Sequence, residues 1–362
     1  MNSPRFASAW STASGWEDAL HAVIAELPRL PQANLGLVYV SDHFAFALES
    51  ILNRLRQHTG VLEWVGATGV GVLGTQGAAL DAPGISVMLG AFPLDSFRVF
   101  SGRRPLPRDF APYAALVHGD PLTPDMNELV QDMAFKVRGG RLAGGLASAR
   151  QQAYQVAGEA LTGGLSGVAF NEQIQTLTGV SQGCTPLPGG WRITQAQDAL
   201  IERIDGRPAI EVFREAAGPA LGADLRRAVS TLLVGLTDGE DDRRQFAARR
   251  IVALDVRSGR IAITESVSKG QNMVFLKRDE EAARADLAHM LEALRAACPH
   301  PPKGGIYVSC ASRGGVMFEH DDSEVQMIRD VFGPIPLTGF FAAGEIAGSH
   351  LFGQTGTLTL FL

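Results

Sequence analysis

The chain has 362 residues, of which 46% are hydrophobic, and a formal net charge of −6. This composition is globular and provides apolar material for roughly two domains or one large one. No apolar stretch reaches the ~20 residues that a membrane helix needs, and the first residues lack the apolar core of a secretory signal. The densest basic runs are interleaved with acidic residues, so we expect neither membrane insertion nor a nucleic-acid partner. Three cysteines without a Cys-x-x-Cys pair favour free thiols and a cytoplasmic location.

The first part of the chain alternates helix and strand patterns. Apolar residues at helical spacing predict a helix over residues 15–27. A short apolar strand is predicted at 35–40, and Ser41 and Asp42 signal the start of a second helix, which Gly60 ends. The segments predicted to complete this unit are a strand at 62–65, a glycine-dense run at 66–77 and a strand at 85–89.

The same order returns twice along the chain. The second copy is predicted as a strand at 113–118, a helix beginning at Thr123 and Pro124, a glycine turn at 139–145 and a strand at 165–170. The third copy is predicted as a strand at 305–309, a helix containing Val325 and Ile328, a glycine turn at 339–348 and a strand at 356–361. Any α/β protein looks somewhat repetitive, but the recurring glycine segment favours a true internal repeat. We therefore predict an α/β fold of repeated β-α-β-β units that form mixed sheets flanked by helices, in two related halves.

A different region lies between the second and third copies. It begins with a turn-rich segment at 183–191 and continues with extended segments, a short helix from about Gly206 and a long helix at 278–298. We place the domain boundary near residues 205–218, which predicts an N-terminal domain at 1–205 and a C-terminal domain at 206–362.

Three short motifs match catalytic signatures but lack the local structure that those signatures need. Residues 69–74 match G-x-G-x-x-G, yet no amphipathic helix follows to hold a dinucleotide. Residues 179–183 match G-x-S-x-G, but the prolines that follow cannot begin the required helix. Residues 266–269 match S-x-x-K in a predicted turn. Because the eight histidines are scattered, we predict neither a metal site nor a cofactor.

The most specific candidate site lies near the C-terminus. Glu345 stands among glycines between two apolar strands, where it could either cap exposed backbone amides or hold an amine or hydroxyl of a ligand. Cys310 and Arg313 directly follow a buried strand, and the carboxyl ends of strands are where α/β folds form pockets. Arg313 could bind a carboxylate. Cys310 could be a reactive thiol, although a free cysteine is more often a small buried hydrophobe.

These motifs resemble those of FIST-domain proteins. The C-terminal likeness consists of VSC-x-x-RG at 308–314, PLTGFFAAGEI at 336–346 and G-x-TG-x-L-x-LF at 353–361. The N-terminal likeness consists of VGATGVGVLG at 65–74, LAGGLAS at 142–148, QGCTPLP at 182–188 and IDGRPAIEVF at 204–213. The resemblance implies an intracellular sensory protein that binds a small ligand, such as an amino acid or a related molecule, and has no established catalytic activity. No output domain is recognised, so signalling would pass through a separate protein partner.

The predicted ligand is held by an anion-binding Arg313 and a cation-binding Glu345, a pair suited to a zwitterion. The full set of predicted ligand-binding residues is Gly66, Thr68, Gly144, Gly145, Gly183, Cys184, Arg250, Cys310, Arg313, Gly314, Gly344, Glu345 and Thr355. Two alternatives remain at this point. One is an enzyme of unrecognised mechanism that uses Cys310 as its nucleophile, and the other is a protein-interaction scaffold with an exposed loop at 239–247.

Overall fold

A computed structural model describes residues 5–237, 246–313 and 317–362 and divides the chain into two compact units. Unit 1 combines residues 1–181 with 287–362, and unit 2 consists of residues 182–286. No helix in the described ranges is long and apolar enough to cross a membrane. Most of the loop at 239–247 and Gly314 lie outside the described residues.

The described ranges contain seven α-helices, two short 3₁₀ helices and twenty-six strands. The helices are α1 (Trp16–Glu26), α2 (Leu48–Thr59), α3 (Met126–Lys136), α4 (Ala209–Ala223), α5 (Leu225–Thr231), α6 (Glu280–Ala297) and α7 (Ser323–Phe332). The strands up to the end of the first stretch of unit 1 are β1 (Arg5–Ser11), β2 (Leu35–Ser41), β3 (Glu63–Gly69), β4 (Gly71–Gly74), β5 (Gly77–Leu80), β6 (Ile85–Ala91), β7 (Phe97–Phe100), β8 (Ala114–Gly119), β9 (Leu142–Leu146), β10 (Gln155–Ala157), β11 (Ala160–Leu161), β12 (Leu165–Phe170) and β13 (Thr176–Ser181). The remaining strands are β14 (Thr185–Pro186), β15 (Trp191–Gln197), β16 (Leu200–Ile204), β17 (Arg207–Pro208), β18 (Leu232–Thr237), β19 (Ala247–Asp255), β20 (Arg260–Ile263), β21 (Asn272–Lys277), β22 (Gly304–Cys310), β23 (Leu337–Ala342), β24 (Gly344–Ala347), β25 (His350–Phe352) and β26 (Gly356–Phe361).

Unit 1 contains three six-stranded mixed sheets that share one topology. Their strand orders are β1-β6-β2-β3-β10-β11 in sheet 1, β7-β12-β8-β9-β24-β25 in sheet 2 and β13-β26-β22-β23-β4-β5 in sheet 3. In each sheet the third and fourth strands are parallel, and a helix connects them along the chain. All other neighbours are antiparallel. The internal repeat predicted from the sequence is therefore confirmed as three copies of one α/β unit.

The three sheets exchange strands in a closed cycle. The chain leaves β3 of sheet 1 and continues as β4 in sheet 3, next to β23. It leaves β9 of sheet 2 and continues as β10 in sheet 1, and it leaves β23 of sheet 3 and continues as β24 in sheet 2. Because each repeat supplies two strands to another repeat's sheet, no repeat has a complete sheet by itself. This exchange brings residues from different repeats next to one another.

The core of unit 1 has an inner and an outer layer, as the alternation of side chains along a strand requires. Leu37 and Tyr39 of β2 face an inner apolar cluster that also contains Ile306, Val308 and Phe340. The intervening residues of β2 face an outer cluster with α1 and α2. In the same way, α3 covers the outer face of sheet 2. The helices therefore cover the outer faces, and the inner faces pack on one another.

The glycine segments at 139–145 and 339–348, predicted to be turns, are instead largely strands, as is the glycine-dense run at 66–77, which corrects that part of the sequence analysis. They form β3 and β4, β9, and β23 and β24. Each parallel strand pair contains one glycine whose missing side chain leaves room for a carbonyl oxygen of the neighbouring strand. A Cβ atom added at Gly66, Gly144 or Gly339 would lie 1.7, 1.8 or 1.7 Å from the carbonyl oxygen of Val38, Val117 or Tyr307 respectively. Glycine is required here for close packing of strands rather than for a change of chain direction.

Unit 2 is built on one sheet with the strand order β14-β21-β15-β16-β20-β19-β18, and β17 pairs with β16. Its core includes Ile193, Ile204, Phe213 and Phe275. Helix α4 is interrupted at Gly218, where the backbone is not helical, and Pro219 follows.

Candidate functional site

The end of the first strand is tied to the start of the last strand in every repeat of unit 1. In each case a backbone N–H at or just after the end of the first strand donates to a carbonyl just before the last strand. These bonds join Ser41 to Gly84 (2.8 Å), Asp120 to Gly164 (3.0 Å) and Cys310 to Thr355 (2.9 Å). The three repeats can therefore be compared position by position at this point.

Each repeat gives two strands to another sheet, and the first of these is β4, β10 or β24. This strand places one side chain next to the backbone hydrogen bond just described. The three side chains occupy matching register positions, with Val72 opposite Phe340, Gln155 opposite Ala67 and Glu345 opposite Gly145. Val72 packs against Gly84, Gln155 donates to the Gly164 carbonyl at 3.2 Å, and Glu345 binds Thr355. Only the third repeat has an ionisable group at this position.

The third repeat also differs at the residue that ends its first strand. Ser41 accepts a hydrogen bond from the N–H of Gly84 at 2.8 Å, and Asp120 accepts one from the N–H of Gly163 at 2.7 Å. In the third repeat the corresponding N–H of Thr355 donates to Glu345 instead. The Cys310 thiol lies 3.1 Å from the Ser312 hydroxyl. The third repeat thus has a thiol where the others have a hydroxyl or carboxylate that accepts a backbone hydrogen bond, and a carboxyl group where they have Val72 and Gln155.

Glu345 is completely buried. Its Oε2 accepts hydrogen bonds from the N–H (3.0 Å) and the hydroxyl (2.7 Å) of Thr355. Its Oε1 has no hydrogen-bond partner among the described residues. Burial raises the pKa of Glu345 to about 8, although the bonds from Thr355 and the charge of Arg313 act in the opposite direction. Burial and the adjacent Glu345 carboxyl also raise the pKa of the Cys310 thiol. Glu345 is therefore mostly protonated at neutral pH.

Arg313 lies in a buried ion pair with Glu324. Its Nε and Nη2 are 3.0 and 2.9 Å from Oε1 of Glu324. Its Nη1 donates to the Ser181 carbonyl at 3.0 Å, and Nη2 donates to the Ser181 hydroxyl at 3.1 Å. Glu324 also accepts hydrogen bonds from the hydroxyls of Tyr307 and Ser309 at 2.7 and 2.6 Å. A ligand would have to displace protein groups to reach this guanidinium, which is not exposed to solvent.

A separate open cleft lies at the carboxyl end of β2. Its volume is about 450 Å³, and it is lined by Asp42, His43, Ala45, Phe46, Ala149, Arg150, Gln151, Gln152 and Tyr154. Arg150 donates from Nε (3.0 Å) and Nη2 (2.7 Å) to the two carboxylate oxygens of Asp42, and its backbone N–H adds a bond of 2.7 Å. Burial alone would raise the pKa of Asp42, but the bonds and charge of Arg150 hold it below its usual value. Asp42 is therefore ionised at neutral pH and holds the arginine in place.

The structure brings together about half of the residues that were predicted to bind ligand. Cys310, Glu345 and Thr355 meet, and β24 pairs directly with β9. That pairing also brings in Gly144, Gly145 and Gly344. Arg313 lies close enough for its charge to affect the Glu345 carboxyl.

The other predicted residues lie elsewhere. Gly66 and Thr68 are on β3, where Thr68 exchanges hydrogen bonds with Tyr154 behind the open cleft. Gly183, Cys184 and Arg250 belong to unit 2, and Gly314 lies outside the described residues. The role of each of these residues in ligand binding stays a prediction.

Sequence reasoning did not single out Asp42 or Arg150 as site residues. Asp42 was interpreted only as part of a helix-start signal, and Arg150 was not considered. The two are 108 positions apart and meet through the exchange of strands between repeats. The one available indication was that a polar pair, Asp42 and His43, directly follows a buried strand.

A buried histidine in the inner core, His118, should lower the stability of the fold at acidic pH. His118 shares a hydrogen bond of 3.0 Å with the Tyr39 hydroxyl, and burial lowers the pKa of His118 to about 3. The unfolded chain takes up a proton below pH 6.5, whereas the folded chain does not, so stability is lost as the pH falls from 6.5 towards 3. We expect this histidine to cost about 2 kcal/mol of stability at pH 5 relative to pH 7.5.

The measurement is urea unfolding of the wild type and of His118→Gln at both pH values. Glutamine cannot take up the proton, so the variant should lose less stability than the wild type on acidification. His300→Gln, which changes an exposed histidine, should behave like the wild type. Equal losses in the wild type and His118→Gln would contradict the prediction.

Comparison with known proteins identifies the family. The FIST N domain model matches residues 34–207, and the FIST C domain model matches residues 209–348. A Mycobacterium tuberculosis protein named Uncharacterized protein MT0656 is 31% identical over 320 residues, covering 82% of this chain and 83% of its own. The Mycobacterium bovis protein named Uncharacterized protein Mb0898c is 32% identical over 304 residues, or 78% of each chain. With both domain models matched in order over most of its length, the chain belongs to the FIST-domain family.

Proposed function

We propose that this protein is a sensory protein that binds a small carboxylate-bearing ligand, amino acids included, in the cleft between Asp42 and Tyr154. Membership of the FIST family supports the sensory role, since FIST domains are associated with small-ligand sensing in signal transduction. The observation that carries the proposal is an arginine held in place at an open cleft of about 450 Å³. That volume lies within the range typical of small-molecule sites.

Arg150 provides the anchor for a carboxylate. Asp42 accepts from Nε and Nη2, which leaves Nη1 without a protein acceptor among the described residues. The side chain is 51% exposed, so an anion can approach it from the cleft. Because Asp42 fixes the guanidinium plane, less conformational entropy is lost when a ligand binds.

The remaining walls of the cleft suit the rest of an amphipathic ligand. Phe46 is 81% exposed, an unusual state for a large aromatic side chain, and it offers an apolar surface. Tyr154 adds a second aromatic ring, and the amides of Gln151 and Gln152 can both donate and accept hydrogen bonds. A small carboxylic acid with an apolar or amide side chain would match this lining.

The location of the anchor suggests how binding could be sensed. Asp42 follows β2 in the first repeat, and Arg150 follows β9 in the second. A ligand carboxylate bound at Nη1 of Arg150 would therefore change the charge balance at a link between two repeats. We propose that a separate protein partner reads this change.

The test is isothermal titration of the purified protein with the common amino acids and with succinate. Replacing Arg150 with alanine should weaken binding of any ligand found by about 1.5–3 kcal/mol, the usual contribution of hydrogen bonds to a charged group. Phe46→Ala should weaken binding without changing stability, because Phe46 is exposed. The matched control is Arg103→Ala, which removes an arginine that is 79% exposed in a surface ion pair and should bind normally. Unchanged affinity in Arg150→Ala, or no binding by any member of the panel, would exclude this site as the carboxylate receptor.

A further inference from the structure

We propose that Cys310 and Glu345 form a reactive thiol–carboxyl pair that adds to small uncharged electrophiles of the activated-alkene class. The pair is separate from the open cleft and is not required for the function proposed above. Three observations support it: the comparison among repeats, the unpartnered carboxyl oxygen and the position of the thiol just below the surface.

The comparison among repeats provides two internal references. At the position of Glu345 the other repeats have Val72, which is apolar, and Gln155, whose side chain bonds to Gly163, Gly164 and Ser166. A valine or a fully bonded amide therefore satisfies the needs of the fold at this position. A buried acid is not needed to build the sheet, so its presence calls for another reason.

The carboxyl oxygen Oε1 of Glu345 supplies a chemical reason. It is buried without a hydrogen-bond partner in the described ranges, an arrangement that costs free energy and is uncommon in folded proteins. The Cys310 thiol lies beside the same carboxyl group, close enough for each to affect the ionisation of the other. An acceptor oxygen next to a thiol is the arrangement that removal of the thiol proton requires.

The thiol lies just below the protein surface. Cys310 is 5% exposed, and the nearby residues Ser312, Ala343 and Gly353 are exposed. A small molecule can reach this position with a local movement of these residues. A charged molecule would lose its hydration on entering, so the site should favour uncharged reagents.

The proposed step is an addition without a leaving group. The ionised Glu345 carboxylate accepts the proton of the Cys310 thiol, and the sulfur donates its electron pair to the alkene carbon that is β to the activating group. A carbon–sulfur bond forms while the π electrons move to the neighbouring carbon. That carbon then takes the proton back from Glu345. The product is a thioether, and no oxidant or second reactant is consumed.

The step depends on ionisation of Glu345, so its rate should rise with pH. The other charged and titratable groups that face the pair are Arg313, Glu324 and Tyr307. Arg313 stays positively charged in its ion pair with Glu324. Burial raises the pKa of the Tyr307 hydroxyl further above its usual value, so it keeps its proton. The expected change between pH 6 and pH 9 therefore comes from Glu345 and Cys310.

The test uses N-ethylmaleimide as the probe and intact-protein mass spectrometry with peptide mapping as the readout. The background variant is Cys298→Ala, because Cys298 is partly exposed and would react by itself. We expect Cys310 to be labelled in the folded protein at a rate that rises from pH 6 to pH 9, while the buried Cys184 reacts only after unfolding. Glu345→Gln should slow labelling of Cys310 by about a hundredfold at pH 8. Glu319→Gln, which changes an exposed glutamate, should leave the rate unchanged.

Two results would overturn the proposal. One is a Cys310 that stays unlabelled in the folded protein throughout this pH range. The other is a labelling rate in folded Glu345→Gln equal to that of the background variant. If Glu345→Gln does not fold, the pH profile of the background variant decides, since a profile without a rise towards pH 9 contradicts a carboxylate base. Titration with amino acids reports on the Arg150 cleft, so failure of one proposal does not imply failure of the other.

Discussion

Replacing Glu324 with glutamine should lower the free energy of unfolding of unit 1 by about 3–5 kcal/mol, because it removes the carboxylate that pairs with the buried charge of Arg313. Four donor groups converge on this carboxylate: Nε and Nη2 of Arg313 and the hydroxyls of Tyr307 and Ser309. A glutamine amide would turn one of these acceptor positions into a donor. A charge and at least one hydrogen bond are therefore lost together.

The measurement is urea unfolding followed by tryptophan fluorescence. Trp10, Trp16 and Trp64 belong to unit 1, and Trp191 belongs to unit 2. A Trp191→Phe background therefore makes fluorescence report on unit 1 alone.

Two further variants separate the buried pair from an ordinary surface pair. Glu159 of unit 1 pairs with Arg103 at 3.3 Å, but the two side chains are 57% and 79% exposed. Glu159→Gln should therefore cost no more than about 1 kcal/mol. The double variant Arg313→Met with Glu324→Leu removes both charges and should be more stable than Glu324→Gln. If Glu324→Gln costs as little as Glu159→Gln, the buried ion pair does not stabilise unit 1 as the structure indicates.

The sequence predicted the units of this fold better than their assembly. Hydrophobic patterns are local, so they identified the strand at 35–40 and the helix that Gly60 ends within a few residues of β2 and α2. They also indicated three copies of the unit. The exchange of β4, β10 and β24 among sheets depends on pairing between distant segments, which no local pattern encodes.

The candidate site shows the same difference between local and distant information. Cys310, Glu345 and Thr355 were singled out because each stands in a short distinctive motif near the end of a strand. All three belong to the third repeat, and they meet through hydrogen bonds to Thr355. The contact between Asp42 and Arg150 joins two repeats, and neither residue stands in a motif that would indicate the other.

The glycine segments illustrate how tertiary packing overrides local preference. Glycine is depleted in strands and favoured in turns, which is why 139–145 was predicted to be a turn. In the structure β9 continues through Gly144 because the Val117 carbonyl of β8 occupies the space where a side chain would lie. The same arrangement recurs at Gly66 and Gly339, so the requirement belongs to the repeat and not to one local sequence.

Replacing Gly144 with alanine should therefore destabilise unit 1 by at least about 3 kcal/mol, the upper part of the range for overpacked cores. The added Cβ would lie 1.8 Å from the Val117 carbonyl oxygen. This obstacle is backbone in the middle of a sheet, so a change of side-chain rotamer cannot relieve it. The backbone angle φ of +143° at this position is also one that residues with a side chain rarely adopt.

The control is Gly102→Ala, since an added Cβ at Gly102 meets no atom within 4 Å. We expect this variant to stay within about 0.5 kcal/mol of the wild type, as most surface substitutions do. Urea unfolding in the Trp191→Phe background measures both variants, and loss of the folded form of Gly144→Ala alone also agrees with the prediction. A Gly144→Ala protein as stable as Gly102→Ala would mean that β8 and β9 can separate without loss of stability. The close approach of the parallel strands would then not be what requires glycine in each repeat.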